Sequence, residues 1–510
     1  MHKIYRLLYR SFIGVMLFVV MLESSRAETS TVDSGSDTFN RVYQEFSTRV
    51  EKYTLPNGLR VLFYPRRTAP VFAAEIHVRV GGVDEKRGKT GAAHMLEHMA
   101  FKGTTTIGTK DYAREKLLLE QIEKLAFEVE PRKNVTTDPQ FQALTAELKE
   151  IWIENAYSRL YKELGASNFN AATSKDTTTY NISLPSEAFE TWCQTESDRF
   201  ANPVFRQFYQ EREVVMEERR MRFGNNPGGQ LYEALLATAY RVHPYGLPVI
   251  GLKQDIQYLK ASDVAQLFST YYRPDNMVIA LAGDLDFAQV KTLIEKYFGA
   301  MKNPPTPLPQ INQPEPRQLA ERRVNVPFDA EPQVIIAYHK PKFPTADDGY
   351  FTLLHELLGG NRTSFFHREL VERKQIALSV GTGEAPGNLF PPIFYVEARP
   401  RPGISLDRLV NEIQNLLEIL KREVITNDSL NRAKRQVAVN LLGSLTSNEG
   451  IAYRLASSEV LWGRWQEEFE YYQQIFAAKP ENIQEIAEKY FTISNRTVGK
   501  IIPQQKSKSE

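Results

Sequence analysis

Residues 91–103 read GAAHMLEHMAFKG, and residues 350–360 read YFTLLHELLGG. Each helical stretch follows two strand-like runs and ends on glycine. Ahead of the first lie Glu51–Tyr64 (EKYTLPNGLRVLFY) and the alternating stretch Val71–Val80. Asn57-Gly58 is a turn signal between two apolar runs, so the former reads as a hairpin. Ahead of the second lie Arg323–Val326 and Gln333–Tyr338. The repeated order of strand, strand, helix and glycine implies an internal duplication, with metal-type residues degraded in the second copy. Residues 303–316 (NPPTPLPQINQPEP) hold six prolines in fourteen positions. That composition reads as a semi-rigid linker. The expected organisation is a first domain over 46–302, the linker, and a second domain over 317–503.

The chain has 510 residues, with 63 Lys+Arg against 62 Asp+Glu and a net charge of +1. This balance argues against a nucleic-acid partner, which selects a basic surface excess. Hydrophobic residues at 42% and charged residues at 25% suit a globular chain with a sizeable core. Cys193 is the only cysteine, so no intramolecular disulfide and no Cys-rich zinc finger forms. Its apolar surroundings, Phe189 to Trp192, read as a buried structural thiol.

The first 27 residues read as an export signal. Lys3, Arg6 and Arg10 precede an eleven-residue apolar run, Phe12–Leu22, and Ser25-Arg26-Ala27 offers a cleavage site. The run is short for a membrane span. The segment carries four basic residues against Glu23 alone, so its removal shifts the net charge from +1 to −2. Residues 28–45, rich in Ser, Thr and Asp, read as a mobile leader. A periplasmic or secreted location is expected, with no stable membrane span after cleavage. Absence of disulfides favours the periplasm.

Residues 113–163 carry Leu118, Ile122, Leu125 and Val129, then Leu144, Leu148 and Ile151, at helical spacing around a break at Pro131–Pro139. They read as a helical hairpin packed on the surface.

The chemistry centres on His94-Met95-Leu96-Glu97-His98. On a helix, His94 and His98 share one face one turn apart, a spacing that lets two imidazoles hold one zinc ion. Glu97 lies beside that face and can take a proton from a zinc-activated water. A third protein ligand is needed. In Glu211–Glu218 (EREVVMEE), Glu211, Val214, Val215 and Glu218 form one stripe, read as core-facing, while Glu213 and Glu217 point to solvent. One of Glu211 and Glu218 could ligate the ion and the other buttress a ligand; spacing does not decide which. Asn170–Tyr180 (NAATSKDTTTY) is strand-prone and reads as an exposed edge able to pair with an extended peptide. His77, His243, His339, His355 and His367 stand in no motif and read as structural or surface residues.

His94-x-x-Glu97-His98 followed by MAFKGT, then NAATSKDTTTY, then EREVVMEE, resembles the pitrilysin/insulinase family of zinc peptidases, in its two-domain processing-peptidase-like branch. The likeness spans roughly residues 48–500 and is strongest over 91–104 and 165–255. It implies an α+β fold of two homologous halves, each a mainly antiparallel sheet with packed helices, enclosing a chamber. It implies one zinc per chain on His94, His98 and Glu218, with Glu97 as general base and Glu211 behind the ligands. Asn170 and Ala171 would lie on the substrate-pairing edge.

Two departures stand out. The His98–Glu218 gap is long, and the hairpin at 113–163 accounts for it. In the second half, the family's Arg and Tyr places fall on Val371 and Leu378 within Leu370–Leu378. A lost oxyanion donor of this kind typically costs about 100–1000-fold in rate. The expectation is a zinc endopeptidase acting on short or unfolded peptides. It would be the metal-bearing subunit of a heterodimer, with a zinc-free homologous sister chain supplying the Arg/Tyr pair, or otherwise a homodimer. The alternative is a non-catalytic assembly or peptide-binding subunit.

Overall fold

The computed structural model describes residues 36–130, 132–311 and 313–503. The export segment therefore lies outside the described residues. The leader reading is corrected from Ser36 onward: Ser36–Ser47 is a helix. Its Phe39 and Phe46 are buried in a core built mainly by the second half. Phe46 stacks on Tyr64, with ring centroids 4.8 Å apart.

The first half builds a six-stranded sheet in the order β1-β2-β6-β3-β5-β4. The strands are β1 Glu51–Thr54, β2 Arg60–Pro65, β3 Val71–Val78, β4 Ser167–Thr173, β5 Thr178–Pro185 and β6 Met277–Gly283. The second half builds a five-stranded sheet in the order β7-β11-β8-β10-β9. These are β7 Arg322–Phe328, β8 Gln333–His339, β9 Ala377–Ala385, β10 Ile393–Pro400 and β11 Arg496–Pro503. The run β2-β6-β3-β5-β4 has the same order as β7-β11-β8-β10-β9. In both, only the first pair is parallel (β2 with β6, β7 with β11) and the rest are antiparallel. The fold is α+β, two matching halves each made of a mainly antiparallel sheet with helices packed on it.

Strand periodicity explains how the halves join. Along β3, Phe72, Ala74, Ile76 and Val78 face the helices of the first half, while Ala73 faces a core shared with the second. On that second face His77 meets Tyr453 of the helix Asn448–Trp462, ring centroids 5.4 Å apart. The converse holds in the other sheet. Val334, Ile336 and Tyr338 face the second half's helices, whereas Ile335 and Ala337 pack on Leu231, Leu235 and Ala239 of the helix Pro227–Ala239. Each half thus lends one helix to cover its partner's sheet. Every fully buried Leu on such a helix contributes about 1.5–3 kcal/mol.

The insertion forms helices Tyr112–Val129, Pro139–Ile151 and Ala156–Glu163. Leu118, Ile122, Leu125, Leu144, Leu148 and Ile151 are buried in the first core, with Val129 half-buried at its rim. At the end of the first helix, Glu130 pairs with buried Arg212 at 2.5 Å and with Lys260. The insertion is thereby fastened to the helix that carries Glu211 and Glu218. In the linker, the Glu315 carboxylate accepts the backbone N–H groups of Arg241, Val242 and His243. No helix among the described residues is long and apolar enough to cross a membrane.

Candidate metal centre

The histidine helix spans Ala92–Met99, with Ala92, Ala93, Met95, Leu96 and Met99 buried. This apolar surface fixes the helix on the core and turns the two histidines toward a cleft. Its start is built by charge and by glycine. The Glu85 carboxylate accepts N–H bonds from Gly91 (2.9 Å) and Ala93 (2.8 Å), two donors a helix leaves open at its N-terminus. Gly91 takes φ +91, and a Cβ there would meet the Ile250 carbonyl oxygen at 2.5 Å.

Glu218 comes from the helix Phe208–Arg219, far along the chain. One donor atom each of His94, His98 and Glu218 lies within 4.8 Å of the others. Glu218 Oε2 is 3.8 Å from His94 Nε2 and 3.6 Å from His98 Nε2. Zinc at about 2.0–2.2 Å from each donor in a tetrahedron sets neighbouring donors about 3.4 Å apart. The two distances from Glu218 exceed that spacing by only a few tenths of an ångström, so this donor set fits such an ion.

The surrounding groups set which ring nitrogen is free. His98 Nδ1 bonds Glu211 Oε1 at 2.8 Å, and Lys102 Nζ pairs with Glu211 Oε2 at 2.6 Å. A carboxylate on Nδ1 holds the proton there and leaves the Nε2 lone pair facing Glu218 and His94. Burial alone would raise the Glu211 carboxyl, but the hydrogen bonds and charges of His98 and Lys102 prevail and hold it at about 2. For His98, burial disfavours the cation, yet Glu211, Glu97 and Glu218 together raise its pKa. Burial, with the His98 and Arg222 charges, pushes His94 down to about 3, so its ring is neutral and able to ligate. His94 Nδ1 is buried without a hydrogen-bond partner.

The Glu97 carboxyl is raised by burial, against the pull of a 2.7 Å hydrogen bond donated by Thr173 Oγ1 to its Oε2. A raised carboxyl beside three convergent donors suits a group that takes up a proton and releases it. Arg222, in a π-helical turn Arg220–Gly224, binds Glu218 Oε1 at 2.7 Å and leaves Oε2 for the histidines.

The chemistry-bearing residues read from the sequence therefore converge. Glu211 stands behind His98, not among the convergent donors. Glu213 and Glu217 are exposed. One member of the stripe is corrected: Val214 is 53% exposed, while Val215 is fully buried. Strand β4 is the sheet edge, where Asn170 is exposed and Ala171 buried. Thr173, Glu85, Lys102 and Arg222 were not singled out from the sequence. Lys102 follows His98, and Arg222 follows Glu218, by one helical turn, so spacing alone could have found them. Thr173 and Glu85 act across tertiary contacts that spacing does not encode. A cavity of about 420 Å3 adjoins Glu97 and His98, and the link between the second and third helices of the insertion (Trp152–Ala156) forms one wall.

Two family models match the chain. "Insulinase (Peptidase family M16)" matches residues 60–161 and 152–253, and "Peptidase M16 inactive domain" matches residues 258–437. The chain belongs to the insulinase family of peptidases. It is 28% identical over 462 residues to the zinc protease PqqE of Helicobacter pylori, covering 89% of this chain and 93% of that one. It is 26% identical over 434 residues to a probable mitochondrial-processing peptidase subunit beta of Schizosaccharomyces pombe, covering 82% and 83%. Among solved structures, a protease from Helicobacter pylori superposes with a TM-score of 0.76 at 27% identity, over 89% of this chain and 99% of that one. The fold also matches the periplasmic protease PqqL of Escherichia coli, with a TM-score of 0.67 at 16% identity, over 89% of this chain and 47% of that one.

Proposed function

We propose that this insulinase-family chain is a zinc-dependent endopeptidase that hydrolyses short or unfolded peptides. The observation that carries this reading is the convergence of His94, His98 and Glu218 beside the half-buried Glu97 carboxyl. Zinc held by those three residues would supply Lewis-acid polarisation of a scissile carbonyl and acidify a water. Glu97 takes the proton from that water at its carboxylate and delivers it to the departing amine nitrogen. Thr173 keeps the Glu97 carboxylate aimed. Glu211 and Lys102 keep the His98 ring in one tautomer and orientation. The open edge of β4, at Asn170 and Ala171, pairs with the extended substrate as an added strand.

The second half offers no donor for the developing oxyanion at the two positions where relatives would carry one. Val371 is half-buried and apolar, and Leu378 is 56% exposed and apolar. Arg373, between them, is paired with Glu369. On this reading the chain is the metal-bearing subunit of a heterodimer, and a zinc-free homologous chain supplies the missing Arg and Tyr. Export to the periplasm through residues 1–27 completes the proposal. The same apolar pair is what the alternative reading, a non-catalytic peptide-binding subunit, would rest on.

Glu97→Gln separates the two readings. It should keep one zinc per chain and reduce turnover of an unstructured peptide by about 100–10,000-fold. Turnover near the native level would remove Glu97 from its role. Hydrolysis at full rate by the purified chain alone would sink the heterodimer.

A further inference from the structure

The first half's edge strand carries the substrate-pairing residues and, at its end, Thr173 on the general base. The strand is not held by the first half alone. At the hairpin tip joining β4 to β5, Asp176 is buried against the loop between β9 and β10 of the second half. Its carboxylate accepts the backbone N–H groups of Asn388 (2.6 Å) and Leu389 (3.2 Å) and the hydroxyl of Tyr245 (2.7 Å). Tyr245 in turn accepts the N–H of Phe390 at 3.2 Å. The loop approaches so closely that a Cβ on Gly387 would lie 2.5 Å from Asp176 Oδ2. Next to it, the buried Lys175 ammonium donates to the carbonyl oxygens of Leu247 and Pro244.

The other end of the hairpin is held by a different element of the second half. Glu449, at the start of the helix Asn448–Trp462, accepts hydrogen bonds from Ser183 of β5 (2.7 Å) and Asn168 of β4 (3.3 Å). Between these two anchors, Asn170 and Ala172 remain exposed. Thr173, one residue short of the tip, donates to Glu97.

The geometry points to a role for the second half as the mount of the catalytic edge. Asp176 and Glu449 are positioning residues: through β4 they set the substrate edge, and through Thr173 they set the direction of the Glu97 carboxylate. This rests on the peptidase reading above. A buried carboxylate that collects three donors, two of them from across the interface, is a rigid tie. Each donor would be costly to leave unpaired, so the halves release the tip only together. Misplacement of reacting groups by an ångström costs about 100-fold in rate, so small slack at the tip is amplified at the site.

The test uses the full zinc-loaded chain with variants Asp176→Asn, Tyr245→Phe, Thr173→Val and Thr173→Ser, and Glu97→Gln as the control. Turnover of a quenched fluorescent, unstructured peptide is measured with zinc content. Backbone hydrogen exchange is followed over residues 168–173 and 386–390. We expect Asp176→Asn to lower kcat/KM by roughly 10–100-fold, with native zinc content and faster exchange in both segments together. Tyr245→Phe should give a smaller shift in the same two segments. Thr173→Val should lower kcat with KM little changed, and Thr173→Ser should restore it. Native exchange over 168–173 in both Asp176→Asn and Tyr245→Phe would overturn the clamp. So would equal losses in Thr173→Ser and Thr173→Val. Turnover that survives in Glu97→Gln would instead sink the peptidase reading, and exchange alone would then decide the clamp.

Discussion

Replacing Glu211 with Gln should weaken zinc binding without unfolding the chain. Glu211 bonds the His98 ring at Nδ1, the nitrogen away from the convergent donors. Its two oxygens are both engaged, with His98 Nδ1 at 2.8 Å and Lys102 Nζ at 2.6 Å. With its pKa near 2 it is ionised at any practical pH, so the substitution removes a full charge. Glutamine has one acceptor and one donor end. If its oxygen accepts from Lys102, its amide faces His98 Nδ1 and drives the ring proton to Nε2, the nitrogen that must be free. If its oxygen accepts from His98, its amide opposes the Lys102 ammonium. Loss of such an outer carboxylate typically costs 10–100-fold in metal affinity, or about 1.4–2.7 kcal/mol. The assay is competition for zinc against a chromophoric chelator at fixed pH, with far-UV circular dichroism to confirm folding. Affinity within threefold of native, in a folded variant, would refute the tautomer-locking role.

Further expectations follow from other contacts. Glu130→Ala should strip the partner from Arg212, which is 1% exposed in its side chain, and lower stability by about 3–5 kcal/mol in urea unfolding; a change under 1 kcal/mol would contradict it. Cys193 is buried and its thiol is pushed up by burial, so a thiol reagent should fail to react until the chain is unfolded; fast labelling of the native chain would contradict that. Glu75 is buried beside His77, and burial, against the pull of His77, raises its carboxyl. The folded state then holds that proton more tightly than the unfolded chain. Its stabilising contribution is full in acid and fades as pH rises through the raised value. Glu75→Gln should therefore shrink the stability difference between pH 5 and pH 8, and an unchanged difference would count against the assignment. His94→Ala should reduce bound zinc below stoichiometry, read by elemental analysis.

How much of this was legible follows from range. His94, Glu97 and His98 lie within five residues, so helix geometry alone places them on adjoining faces. Glu218 was legible as one of two carboxylates on a stripe, and only tertiary structure separates it from Glu211. The same stripe misled at Val214, because helical spacing alone does not tell an exposed position from one that borders a core. The leader misled for a compositional reason. Its Ser, Thr and Asp content masks Phe39 and Tyr43, which fall at helical spacing with Phe46 just beyond it and pack against the second half. The exchange of helices between halves was out of reach. Leu231 and Leu235 announce that they are buried, but nothing in their spacing says whose sheet they cover. Parallel pairing of β2 with β6 joins residues more than two hundred positions apart, and Thr173 on β4 reaches Glu97 across 76 positions of sequence.

The most direct test is turnover of a quenched fluorescent, unstructured peptide by the purified chain before chelation, after chelation and after zinc is restored. We predict residual turnover, about 100–1000-fold below that of a site with its oxyanion donors, that disappears with the chelator and returns with stoichiometric zinc. Turnover that the chelator leaves untouched, in a chain shown to be metal-free, would contradict the assignment of His94, His98, Glu218 and Glu97.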